Sequence, residues 1–278
     1  MNIRAYVRLT EIMIRIATYL AIAALSEGKM FVCREPRGTR QKRRAALASH
    51  HGASLIKRLG FRIQLNEHGI FKELESGTLF VSNHLAFWDM LVLSSLRRFH
   101  YVTSVEVRDT PVLGWIAILS GSVFVERRSR IKIEGEIDTI LAELESGRDI
   151  VLFPEATSSD GSQVLPFKRS LFQSAVRTGR PVVPVCINYR TIDGKPVNIQ
   201  NRDYLFYYGH HSFFKQILKI CELSHILVEV DIMSPTWPVS EPEAHKILCE
   251  TSYLKVRNRF SPILGNCELG LDRTEIRI

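Results

Sequence analysis

From residue 61 onward the chain alternates between two kinds of apolar pattern. Short runs rich in β-branched and aromatic residues predict strands, because such side chains suit a pleated, half-buried surface. They are FRIQL (61–65), TLFVS (78–82), YVTSV (101–105), SVFVE (122–126), DIVLF (149–153), PVVPVCI (181–187) and ILVEVDI (226–232). Between them AFWDMLVLSSLRR (86–98), IKIEGEIDTILAELESG (131–147) and SLFQSAVRTG (170–179) predict helices. The last two close on Gly147 and Gly179, residues that tolerate the left-handed turn ending a helix. The alternation predicts an α/β fold, a single domain with a largely parallel central sheet flanked by helices. Pro184 lacks the N–H that an interior ladder uses, so PVVPV predicts an edge strand or a bulge. Ligands of such sheets sit beyond the carboxyl ends of the strands, which makes the strand-to-helix junctions the places to search.

The N-terminus is patterned differently. EIMIRIATYLAIAALSEG (11–28) holds an apolar stretch from Ile12 to Leu25, broken by Arg15, shorter than the roughly 20 residues a spanning helix needs. A cleaved leader is one alternative, since Arg4 and Arg8 precede the apolar part and AIAAL offers small residues for cleavage. Against it, a basic segment follows: Arg34, Arg37, Arg40, Lys42, Arg43 and Arg44. Cations beside an apolar helix suit an anionic membrane surface, each adding about 1 kcal/mol near the leaflet. The plainer alternative is a solvated basic face after a core helix. Three segments are expected: a membrane-associating stretch over 1–45, a catalytic domain over 46–260, and a tail over 261–278.

Composition bounds the partners. The 278 residues are 45% hydrophobic and 24% charged, as in ordinary folded proteins, and 37 Lys+Arg against 29 Asp+Glu give a net charge of +8. That excess favours a membrane surface, a phosphorylated substrate or nucleic acid. No recognition motif or aromatic-interleaved basic strip accompanies the charge, so no nucleic-acid partner is expected. Cys33, Cys186, Cys221, Cys249 and Cys267 are odd in number and lack a CxxC pair, which fits a reducing compartment. His50-His51 and His210-His211 are adjacent pairs whose side chains point apart, and no metal site is expected from them.

Four junctions carry polar residues. In SNHLAFWD, His84 emerges from a strand and Asp89 falls in the first turn of the following helix. The pair suits general-base chemistry, an imidazole taking a hydroxyl proton while a carboxylate fixes its tautomer. The alternative is a capped helix, with Ser82 or Asn83 as cap and Asp89 complementing the dipole. GSVFVERRSR ends a strand in arginines, planar forks that can hold phosphate or simply sit in solvent. VLFPEATSSDG ends a strand on Pro154 and Glu155 before a small polar loop, and LPFKR and PVVPV follow.

In order, NHLAFWD, GSVFVERR, FPEATSSDG with LPFK, and PVVPV resemble the four blocks of the glycerolipid acyltransferase family, which includes the 1-acylglycerol-3-phosphate acyltransferases. The resemblance covers roughly residues 78 to 190. It implies His84 as the base that activates an acceptor hydroxyl and Asp89 as its orienting carboxylate. It also implies Arg127 at the acceptor phosphate, with Glu155, Thr157, Ser158 and Lys168 completing the substrate site. The donor would be a thioester of coenzyme A or acyl carrier protein, with no metal or other cofactor. The acceptor would be a lysolipid, first 1-acyl-sn-glycerol-3-phosphate giving phosphatidic acid, and the place the cytoplasmic face of a bacterial inner membrane. Two positions depart from the family's Phe-Pro-Glu-Gly-Thr-Arg: Ala156 replaces glycine and Ser158 replaces arginine. If Ala156 takes a positive φ it is strained, and without the arginine one phosphate fork is gone. The TSSDG variant resembles the lyso-ornithine lipid acyltransferases, whose acceptor has no phosphate. A hydrolase lacks support, since no G-x-S-x-G elbow is present. A noncatalytic membrane adaptor would leave His84 and Asp89 idle.

Overall fold

The computed structural model describes residues 3–67, 69–126, 133–209 and 213–263. Two long helices come first, α1 (Ile3–Val32) and α2 (Arg37–Arg58). Then follow β1 (Phe61–Asn66), α3 (Ile70–Glu73), β2 (Leu79–Ser82), α4 (Trp88–Leu96), β3 (His100–Ser104), α5 (Val105–Arg108), α6 (Leu113–Leu119) and β4 (Val123–Val125). The remainder comprises α7 (Ile133–Glu145), β5 (Ile150–Leu152), α8 (Gln173–Thr178), β6 (Val182–Ile192), β7 (Lys195–Pro196), α9 (Phe213–Glu222), β8 (Ile226–Ile232) and α10 (Ala244–Arg259). Every strand that the pattern predicts is present. Val105, expected to end a strand, instead opens α5.

The sheet runs β1-β8-β6-β2-β5-β3-β4, with β7 paired to β6 off this path. All neighbours are parallel except β6 with β8 and with β7. Leu79, Phe80, Val81 and Ser82 are all buried, as a strand covered by helices on both faces requires. On one face Phe80 packs in a cluster with Trp88, Val92 and Leu93 of α4; on the other Leu79 and Val81 meet Ile140 and Leu144 of α7 and Leu248 of α10.

Pro184 takes the second of its two expected settings, a bulge. Its strand is interior, between β2 and β8, and not an edge. The missing N–H is accommodated by a register change: from the Val182–Thr236 bridge to the Val185–Ile232 pair, β6 advances three residues while its partner advances four. The carbonyl of Pro184 is still used, accepting from Met233 at 3.0 Å.

The N-terminal helices are built onto the domain. α1 is 30 residues long, beyond what the interrupted apolar stretch suggests, and by length and composition it could cross a bilayer. Its charges are satisfied sideways: Glu11 pairs with Arg58, Glu27 with Arg44, and Arg15 donates to Ser54 at 2.6 Å. Ala5, Ile12, Tyr19, Ala23 and Met30 form a narrow buried seam, while Val7, Ile14, Leu25 and Phe31 remain exposed on α1. α2 packs along α4, where Ser49 donates to the Ser94 carbonyl at 2.6 Å, so a boundary at residue 45 falls inside α2. At the other end Ile263 donates its amide to Gly161 at 2.8 Å; the rest of the expected tail, 264–278, lies outside the described residues.

Candidate active site

The site forms where β2 stops and its longer neighbour continues. β2 pairs with β6 as far as Ser82 opposite Val185. Beyond that point the Asn83 side chain replaces the backbone ladder: its amide donates to Ile187 O at 2.9 Å, and Ile187 N donates to its carbonyl at 2.8 Å. The chain then turns, and α4 begins at Trp88, two residues later than its sequence pattern suggests.

Asp89 is fully buried and closes this turn. Its Oδ2 accepts from Leu85 N at 2.7 Å and Ala86 N at 2.9 Å, and lies 2.9 Å from His84 Nδ1. Two amides of the turn that leads into the helix are thereby satisfied by a carboxylate. Asn83 is engaged with β6, and the Ser82 hydroxyl donates to Asn83 O, so neither caps the helix. With Nδ1–H held by Asp89, the neutral His84 carries its lone pair on Nε2. The His84 side chain is 17% exposed and stacks on Phe153, with ring centroids 4.2 Å apart.

Glu155 locks the histidine's backbone in place. Its Oε1 accepts from His84 N at 2.8 Å and its Oε2 from Leu165 N at 2.9 Å, while Ser159 N donates to His84 O at 2.9 Å. Burial pushes the Glu155 carboxyl up to about 8, against the opposite pull of the two amides. Glu155 was expected among the substrate contacts; with both oxygens taken by backbone amides, it serves the loops that hold His84.

The other expected residues separate. Ala156 has φ of 59°, the left-handed conformation in which alanine is strained relative to glycine. Thr157 is exposed. The Ser158 hydroxyl donates to the Tyr207 carbonyl, which turns it into the protein. Lys168 donates its amide to Pro154 O at 2.9 Å and has an exposed side chain. Arg127, His210 and His211 lie outside the described residues. One participant carries no sequence signal: the Tyr189 hydroxyl, from β6, donates to Asp89 Oδ1 at 2.7 Å.

Beside the start of α4 an apolar cavity of about 180 Å³ opens between α1, α2, α4, α6 and α9. Ile12, Ile16, Leu55, Trp88, Leu91 and Ile116 are among its lining residues.

The chain is similar to known acyltransferases. Residues 62–188 match the family model described as Acyltransferase. The lyso-ornithine lipid O-acyltransferase of Brucella abortus is 34% identical over 204 residues, covering 71% of this chain and 74% of that protein. The 1-acyl-sn-glycerol-3-phosphate acyltransferase of Neisseria gonorrhoeae is 32% identical over 158 residues, 56% of this chain and 60% of that protein. In fold, the chain resembles the crystal structure of the 1-acyl-sn-glycerophosphate (LPA) acyltransferase of Thermotoga maritima. The TM-score is 0.53 at 20% identity, over 93% of this chain and 100% of that one.

Proposed function

The chain belongs to the acyltransferase family, and from that premise we propose that it moves a fatty acyl group from a thioester carrier to the free hydroxyl of a lysolipid, using His84 as base. The observation that carries this reading is the 2.9 Å contact between His84 Nδ1 and buried Asp89, which leaves Nε2 as the nitrogen that accepts a proton. The acceptor hydroxyl gives its proton to Nε2 as its oxygen attacks the thioester carbonyl. Asp89 stabilises the resulting imidazolium. Collapse of the tetrahedral intermediate breaks the C–S bond, and the leaving thiolate takes the proton back from His84. One ester and one free thiol result. The donor class is a thioester of coenzyme A or acyl carrier protein.

The apolar cavity supplies a place for a fatty chain, since Trp88, at its wall, directly precedes Asp89 in α4. Its lining is predominantly aliphatic and aromatic, as chain burial requires, with Arg15, His51, Ser94, Thr103, Ser120 and Ser122 also present.

Two acceptors fit the family, 1-acyl-sn-glycerol-3-phosphate and lyso-ornithine lipid. The Ser158 geometry favours the second. Where the family's third block has arginine, this chain has a hydroxyl turned toward Tyr207 O, which removes one bidentate phosphate ligand. Arg127 would be the remaining arginine for a phosphate. With labelled acyl-CoA and acyl carrier protein as donors and both acceptors competing in one vesicle preparation, the labelled product is expected to be predominantly ornithine lipid. Predominant phosphatidic acid would return the assignment to the phosphate-bearing acceptor.

The place of action follows from α1. Its exposed apolar residues and the adjacent basic segment suit the surface of an anionic leaflet, and for this enzyme class the cytoplasmic face of the bacterial inner membrane is the proposed site. The ion pairs from α1 to α2 favour a helix that lies along the surface with the domain. Replacing Val7, Ile14 and Leu25 together by glutamine is expected to move the protein from the pellet to the supernatant with anionic vesicles. Undiminished pelleting would contradict the anchor.

A further inference from the structure

The buried carboxylate of Asp89 has two ends, and only one of them serves the histidine. Oδ2 meets His84 Nδ1 and the amides of Leu85 and Ala86, whereas Oδ1 meets the Tyr189 hydroxyl at 2.7 Å. We infer that Tyr189 is a positioning residue of this site, fixing Asp89 and thereby setting how readily His84 takes up a proton. The inference rests on the acyl-transfer reading for its kinetic consequences and on geometry for the rest.

The contact follows from the different lengths of neighbouring strands. β2 ends at Ser82, but β6 continues to Ile192, paired beyond that point with β8. Asn83 clamps β6 at Ile187, so Tyr189 lies past the end of β2, over the start of α4. Its ring packs on Phe206 with centroids 5.5 Å apart, and the next residue, Tyr207, donates its amide to Leu85 O at 3.0 Å. The phenol is therefore held from two sides. Burial and the neighbouring Asp89 both raise it well above the ordinary tyrosine range, so it remains a proton donor at working pH.

A hydroxyl donating to a buried carboxylate disperses its charge and restrains its rotation. Without that donor, Asp89 would pull harder on the Nδ1 proton and favour imidazolium, so His84 would remain protonated to higher pH. The carboxylate would also turn more freely, loosening the imidazole. Two other titratable groups lie against this pair: Glu155, bound to His84 N, and the buried Tyr101, which feels the charge of Asp89. Neither donates to Oδ1.

The test is Tyr189→Phe in the full chain on vesicles, since phenylalanine keeps the ring packing and removes only the hydroxyl. The expected result is a kcat about 10- to 100-fold lower with KM nearly unchanged, a loss confined to the transition state. The acid limb of kcat/KM should move up by about half a pH unit or more. An NMR titration of the His84 imidazole, assigned by difference from His84→Gln, should move upward with it. Phe206→Leu, which loosens the same packing but keeps the hydroxyl, should move both midpoints less than Tyr189→Phe does. A His84 titration that stays put or moves to lower pH in Tyr189→Phe overturns the inference, whatever happens to turnover or stability. The two readouts separate the questions. A parent protein that transfers no acyl group removes the functional reading, while the titration still decides the role of Tyr189.

Discussion

His84→Ala is expected to lower acyl transfer by about 10²–10⁴-fold, the range that a positioned general base contributes, while thermal unfolding stays close to that of the parent. The two outcomes separate because the histidine is held through its backbone. Its amide donates to Glu155 and its carbonyl accepts from Ser159, contacts that alanine preserves. Asp89 is not orphaned either, keeping the amides of Leu85 and Ala86 and the hydroxyl of Tyr189. The imidazole itself loses a stacking contact with Phe153 at a partly exposed position. Steady-state turnover and a thermal melt on the same preparation check both halves. Turnover near the parental rate would take His84 out of the mechanism.

Glu155→Ala should damage stability and activity together. Removing the carboxylate leaves the part-buried His84 N and Leu165 N without their acceptor, each costing about 1 kcal/mol, the low end for an unsatisfied N–H. The loop that fixes His84 then relaxes, and a shift of about 1 Å at a catalytic group is enough for a 10²-fold loss. A variant that melts like the parent and retains its rate would contradict this role.

Glu155 also gives stability a pH dependence with a definite sign. Its folded value of about 8 lies above the ordinary 4.5, so between those limits the folded state binds more protons than the unfolded state. This group's contribution is greatest below the lower limit, declines as pH rises, and is lost once pH has passed through the folded value. Glu155→Gln, neutral throughout, removes that slope, so its melting temperature should gain on the parent's as pH rises from about 5 to about 8. Parallel curves would show that Glu155 does not titrate in this window.

The chemistry was legible where it depended on local spacing. His84 and Asp89 lie on one turn, and a carboxylate five residues past a strand-end histidine can reach back to it. Capping by Ser82 or Asn83 is the alternative at that level, and it is excluded by the long-range pairing of Asn83 with Ile187 and by the Ser82 hydroxyl donating to Asn83 O. Tyr189 was not legible for the same reason: its place depends on how far β6 outruns β2, and Asn188-Tyr189-Arg190 looks like the end of a strand. Glu155 was visible as a residue but not as an anchor, because its partners are backbone amides that no side-chain motif reports. Two helices outside the predicted set carry a legible period. Ile217 with Ile220 and Cys221 in α9, and Ala244, Leu248, Ser252 and Val256 in α10, recur at helical spacing on buried faces.

The charge pattern was the least informative guide. Ser158 replaces a cation, and only the structure shows its hydroxyl spent on Tyr207. The basic N-terminal run was equally compatible with a solvated face. The exposed apolar side of α1 beside it makes membrane contact the stronger explanation.

The central claim is acyl transfer to a lipid hydroxyl by a base, and its most direct test is stoichiometry. The purified protein is incubated on anionic vesicles with labelled acyl thioester and lysolipid, following free thiol and acylated lipid in the same samples. The account predicts one ester formed for each thiol released, with both reduced about 10²–10⁴-fold in His84→Ala. Thiol release accompanied by free fatty acid, or no release with either thioester carrier, would contradict it.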